Sequence, residues 1–90
     1  DGVGEIVVPA PDLQVRCDRD LLRYVVEKGS ITVDGVSLTI VEPLEDGFTV
    51  AVIPHTMAVT TLGTKGAGDT VNLEVDVTAK YVERLLEWKG

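Results

Sequence analysis

The sequence predicts an all-β domain: a small antiparallel barrel of about six strands with a short internal helix and a C-terminal helix. Three observations predict it. Residues 30–41, Ser-Ile-Thr-Val-Asp-Gly-Val-Ser-Leu-Thr-Ile-Val, alternate apolar and hydroxyl side chains about a central Asp34-Gly35 pair. Thr70–Asp76 alternates as cleanly, with Val71, Leu73 and Val75 against Thr70, Asn72 and Glu74. Short runs of this kind recur along 90 residues, broken by Gly, Pro and Asp. A chain this short protects its sheet edges best by closing them on one another.

Taken in order, Val3–Val8 reads as an edge-type strand, bounded by Pro9 and Pro11. Leu13–Cys17 alternates Leu13, Val15 and Cys17 against Gln14 and Arg16, a second strand. A helix is expected from Asp18, whose carboxylate can cap free N–H groups, with Asp20 at its positive end. Leu21, Leu22, Val25 and Val26 recur at helical spacing, Lys28 falls in the last turn and Gly29 is the stop. Glu42 to Gly47 is a turn region. Phe48–Ile53 returns as a strand, with Phe48, Val50 and Val52 on one side and Thr49, Ala51 and Ile53 on the other, buried on both faces for much of its length. Pro54-His55-Thr56-Met57 ends it, and residues 58–69 read as irregular, punctuated by Gly63, Gly66 and Gly68. The last helix, about 77–88, places Tyr81, Val82, Leu85, Leu86 and Trp88 on one stripe, to be buried on its own barrel or on another chain.

The hairpin carries the chemistry. Asp34-Gly35 suits a two-residue type I′ turn, whose central residues both need positive φ. That turn pairs Val33 with Val36, Thr32 with Ser37, Ile31 with Leu38 and Ser30 with Thr39. Side chains alternate between faces, so Ile31, Val33, Val36, Leu38 and Ile40 share one side and the four hydroxyls share the other. A slip of one residue would bury the hydroxyls, so the register is firm. The hydroxyl row reads either as a solvent-facing sheet surface or as an uncharged hydrogen-bonding surface for a polyol or heterocycle.

Bulk properties narrow the partners. Eight basic and fifteen acidic residues give a net charge of −7, which argues against nucleic acid or an anionic membrane and favours a small neutral ligand. Three of the four aromatics, Tyr24, Tyr81 and Trp88, fall in segments read as helical, so the core is mostly Val, Leu and Ile. No run of apolar residues is long enough to span a bilayer, and no signal peptide is visible. The Asp1-Gly2 start reads as that of an excised segment. The lone Cys17 allows no internal disulfide and fits a reducing compartment.

One His and one Cys make no metal cluster. Nothing in the spacing of Ser37, Cys17 and His55 demands a hydrolytic triad. Residues 63–68 are glycine-rich but lack the Gly-Lys-Ser/Thr ending of a phosphate loop and precede a strand. Capping explains Asp12, Asp18 and Asp20 better than calcium does. His55, after a proline at a strand end, reads either as a solvated loop residue or as a side chain at a pocket mouth.

Lys28-Gly29-Ser30-Ile31-Thr32-Val33-Asp34-Gly35-Val36-Ser37-Leu38-Thr39, Ile53-Pro54-His55-Thr56, Thr60-Thr61-Leu62-Gly63 and Gly68-Asp69-Thr70-Val71-Asn72-Leu73-Glu74 together closely resemble riboflavin synthase of the α-chain type, in its C-terminal lumazine-binding domain. The ending Asp76…Ala79-Lys80-Tyr81-Val82-Glu83-Arg84-Leu85 matches too, so the resemblance covers essentially the whole chain. It implies that residues 1–90 are one six-stranded Greek-key barrel from a chain with two. The family's parent protein is a cytoplasmic homo-oligomer, a trimer. Each barrel binds one 6,7-dimethyl-8-ribityllumazine, and two such molecules dismutate to riboflavin and 5-amino-6-ribitylamino-pyrimidinedione, with no metal or organic cofactor. The family's active site lies between the N-terminal barrel of one subunit and the C-terminal barrel of another.

Residue by residue, the resemblance implies that Ser37, Thr39 and the backbone of Leu38 contact the lumazine. It implies that Val52, Ile53, Pro54, His55, Thr56 and Met57 form the other wall, and that Lys28 reaches the ligand of a neighbouring subunit. The Leu38 side chain is expected in the core. Family residues implicated in catalysis belong to the N-terminal half, so no acid, base or nucleophile is assigned here. His55 would relay protons only if a second substrate stacks beside it. Two rival readings are a non-catalytic antenna-type lumazine- or flavin-binding protein, which resembles the same family, and an assembly module acting through the C-terminal helix.

Overall fold

The computed structural model describes the backbone of residues 1–89 and the side chains of all of these except Glu83, Trp88 and Lys89. Six strands, β1 (Gly2–Val8), β2 (Asp12–Cys17), β3 (Ser30–Val33), β4 (Val36–Pro43), β5 (Gly47–Ala51) and β6 (Thr70–Val75), close into a barrel in the order β1-β2-β5-β4-β3-β6. All six pairings are antiparallel. The consecutive run β3-β4-β5, with β6 returning beside β3, is a Greek key. β1 is not an edge strand: closure pairs it with β2 on one side and β6 on the other.

Period-two patterning decides which side chains fill the interior. Ile6, Leu13, Val15, Ile31, Val33, Ile40, Phe48, Val50, Val71 and Leu73 are all nearly or fully inaccessible, and Leu62 is buried with them. Phe48 is the only aromatic among these buried residues. Each such side chain contributes about 1.5–3 kcal/mol by leaving water.

Several elements differ from the sequence reading. The first helix, α1, runs only from Arg19 to Leu22, and the Asp18 side chain makes no capping bond. A longer helix would compete with the barrel. Val25 is buried in the core, and the backbone of residues 28–29 is claimed by β4, with Lys28 N–H donating to Ile40 O (2.9 Å) and Ile40 N–H to Gly29 O (2.8 Å). Tyr24 therefore lies in a turn, packed against the core under the Arg23 guanidinium, 5.7 Å above its ring. Lys28, expected in a last helical turn, has φ 68° instead.

The second difference follows β5. Its outward side chains are not buried: Thr49 is half-buried and Ala51 and Ile53 are exposed. The strand ends at Ala51, and Pro54–Val59 forms a short helix, α2, with proline in its first turn, where a missing N–H costs nothing. A 3-10 turn at Thr61–Gly63 follows, where irregular chain was expected.

The C-terminal helix α3 spans Val77–Lys89. Its apolar stripe does not pack on the barrel: Tyr81, Val82, Leu85 and Leu86 are 51–68% exposed. Trp88 and Glu83, also placed on this helix by the sequence reading, lie outside the described side chains. Polar contacts hold the helix near the barrel, Lys80 Nζ to Asp1 Oδ1 at 2.7 Å and Arg23 to Glu87 Oε1 at 3.0 Å. The molecule measures 44 × 22 × 19 Å. No helix among the described residues is long and apolar enough to cross a membrane.

Candidate functional site

The β3–β4 hairpin has the register its turn dictates. Asp34 (φ 49°) and Gly35 (φ 83°) both sit in the left-handed region, as a type I′ turn requires. Ser30 faces Thr39, Ile31 faces Leu38, Thr32 faces Ser37 and Val33 faces Val36. Ile31, Val33 and Ile40 are buried, and Val36 and Leu38 pack at the core margin. The hydroxyls point outward from the barrel, with Thr32 half-buried and Ser30, Ser37 and Thr39 exposed.

That outer face is concave. Ser30, Thr32 and Ser37 line a groove of about 330 Å³ whose far wall is Glu74, Asp76 and Val77, where β6 runs into α3. The Thr32–Glu74 pairing of β3 with β6 brings the hydroxyls and carboxylates together. Asp76 Oδ1 accepts from Thr78 N–H at 3.0 Å, which fixes its carboxylate at the head of α3. Three hydroxyls and two carboxylates give both donors and acceptors, suited to a ligand bearing hydroxyl and amide groups. Sequence reasoning missed Glu74 and Asp76. The outward parity of Glu74 was legible, but the closure that sets β6 beside β3 was not.

The other expected site residues scatter more. Thr39 lies one register step beyond the groove lining. Leu38 does direct its side chain toward the core. Ile40 of β4 pairs with Val50 of β5, so the strands that carry or lead into the two expected walls are neighbours in the sheet. Val52, however, is only 3% exposed and its N–H donates to Pro11 O at 2.8 Å, so it packs the core instead of presenting a side chain. Ile53 is 62% exposed, an apolar surface fit to contact a flat ring. Pro54 and His55 are exposed on the first turn of α2, Thr56 is half-buried, and Met57 packs on the core. Lys28 is exposed at the base of the hairpin. Cys17, half-buried, has its thiol pKa pushed up by burial and by Asp18 and Asp46, and such a thiol is a poor nucleophile. Among the described residues no three His, Cys, Asp or Glu side chains converge as a metal would need.

The model of the lumazine binding domain family matches residues 1–76. The chain belongs to the lumazine-binding domain family. It is 46% identical to the riboflavin synthase of Actinobacillus pleuropneumoniae over 96% of this chain and 42% of the relative. It is 49% identical to the riboflavin synthase of Mycobacterium bovis over 100% of this chain and 49% of the relative. It thus spans about half the length of these relatives. A crystal structure of LumP complexed with 6,7-dimethyl-8-(1'-D-ribityl) lumazine superimposes with a TM-score of 0.70 at 28% identity, over 83% of this chain and 44% of that one. The fold of this chain is thus similar to that of LumP at 28% identity.

Proposed function

We propose that this chain is the lumazine-binding half-site of a riboflavin synthase, which takes up 6,7-dimethyl-8-ribityllumazine and releases riboflavin. The observation that carries the reading is the identity of 46–49% with riboflavin synthases over nearly all of this chain. The outward hydroxyl face supports it, because a ribityl chain is itself a row of hydroxyls, and Ser37, Thr32 and Ser30 complement it without charge. Ile53 offers apolar surface to the ring, and Lys28, the Leu38 backbone, Thr39 and residues 52–57 are the remaining proposed contacts.

In the proposed parent protein this barrel works beside a second, N-terminal barrel, and two lumazines exchange a four-carbon unit without a metal or organic cofactor. Coverage of about half of each relative supports that organisation. Face-to-face placement of two heterocycles supplies much of the rate. Within this chain the groove carboxylates Glu74 and Asp76 are better placed than His55 to accept a proton from a ligand held by Ser37. The parent is proposed to be a cytoplasmic homo-oligomer, and the exposed stripe of α3 supports association.

Mixing the chain with 6,7-dimethyl-8-ribityllumazine and following riboflavin fluorescence tests this. The expected result is saturable binding with slow or no turnover by the isolated chain, and turnover in the parent protein. Binding without turnover by the parent would instead support the non-catalytic lumazine-binding reading. That reading has less support, since the identity to LumP is 28%.

A further inference from the structure

Asp34 makes more bonds than a hairpin turn needs. Its Oδ2 accepts from Lys65 Nζ at 2.6 Å and from Thr61 Oγ1 at 3.0 Å, and its Oδ1 accepts from the Asn72 N–H at 2.7 Å. Its own N–H donates to Asn72 O at 2.8 Å. The carboxylate side chain is 8% exposed and that of Lys65 29%. Lys65 also donates to Thr70 O at 2.7 Å. The partners come from three places: the first residue of the β3–β4 turn, the loop after α2, and β6.

These are the elements that frame the proposed ligand site. Asp34 stands three residues before Ser37. Lys65 and Thr61 end the segment that begins with Ile53 and α2, and that segment is held by contacts of its own. Thr60 Oγ1 donates to Thr56 O at 2.6 Å, Leu62 is 1% exposed, and a Cβ at Gly63 would sit 1.8 Å from Met57 O. The end of α2 faces the hairpin directly, since Val59 and Val36 line one hollow with Asp34. The Asn72 contact fixes β6 two residues before Glu74.

We infer that the Asp34–Lys65 pair is a positioning device for the ligand site. It locks the hydroxyl-bearing hairpin, the Ile53–Val59 wall and the Glu74 edge in one arrangement without touching the ligand. The inference rests on the reading of this chain as a lumazine-binding half-site. A half-buried pair fastened by four side-chain bonds holds geometry better than an exposed one. Without Lys65 the α2 segment keeps its attachment to β5 through Val52 and its Thr61 Oγ1 bond to Asp34, but loses the ion pair that ties it to the turn.

The test is titration of 6,7-dimethyl-8-ribityllumazine into the unaltered chain, Lys65→Met, Lys65→Arg and Val15→Ala, at a temperature where all four are folded by circular dichroism. Amide hydrogen exchange is followed in parallel. Lys65→Met is expected to weaken binding about three- to tenfold and to speed exchange in residues 54–64. Lys65→Arg, which keeps the charge, should recover most of the affinity. Val15→Ala, a core truncation on β2, which carries none of the pair's bonding partners, should lower stability without that loss of affinity. Equal affinity of Lys65→Met and the unaltered chain overturns the inference and leaves the half-site reading standing. Equal loss in Val15→Ala reduces the pair to general stability and overturns it too. No binding by the unaltered chain overturns the half-site reading and this inference with it.

Discussion

Asp34 is the residue on which turn geometry and electrostatics meet. Burial works to raise its pKa. The hydrogen bonds from Lys65, the Asn72 N–H and Thr61, with the Lys65 charge, outweigh that and hold it below its ordinary value of 3.8. Glu74 lines the hollow beside it with Lys65. A folded-state pKa below the unfolded one means stability that is fully present above the unfolded value and is lost as pH falls through the folded value. Asp34→Asn should therefore be less stable than the parent near neutral pH, and the gap should narrow as pH drops below about 4. Chemical denaturation at several pH values measures this, and a gap independent of pH would remove the ion pair from the account. The hydroxyls act at the same scale. Ser37→Ala should weaken ligand binding by about 0.5–1.5 kcal/mol, and Thr39→Ala by less, because Ser37 lines the groove and Thr39 lies beyond it.

Elements that obey one strong local rule were the ones legible in sequence. The hairpin register followed from Asp34-Gly35 and the alternation around it, and the observed pairs match it residue by residue. Gly35→Ala isolates that rule, since nothing lies within 4 Å of the added Cβ and φ is +83°. The cost should be backbone strain of about 1–2 kcal/mol, read by thermal unfolding. A neutral result would show that the turn does not need its left-handed residue. Elements under tertiary competition were not legible. Leu21 to Val26 carries helical spacing, yet Ile40 draws the backbone of residues 28–29 into pairing and shortens the helix to four residues. Pro54 stops a strand and starts a helix equally well, and only the packing of Met57 and Leu62 against the core decides between them. Half of the candidate groove was visible as a hydroxyl row. The half made by Glu74 and Asp76 depended on a pairing of β6 with β3 that no local pattern announces.

At the scale of the molecule, a closed barrel leaves no free strand edge, so surface available for association must come from elsewhere. The stripe of Tyr81, Val82, Leu85 and Leu86 on α3 provides it. Leu85→Ser with Leu86→Ser should leave the barrel folded, because both side chains are largely exposed, and should lower the mass seen by light scattering if the helix joins chains. An unchanged mass would confine association to other surfaces. The central claim is that the outer face of the β3–β4 hairpin receives a ribityl-bearing heterocycle. Calorimetric titration of 6,7-dimethyl-8-ribityllumazine into the chain and into a Thr32→Ala, Ser37→Ala double variant tests it most directly. Saturable one-site binding by the first, clearly weakened in the second, is the predicted result, and indistinguishable isotherms would contradict it.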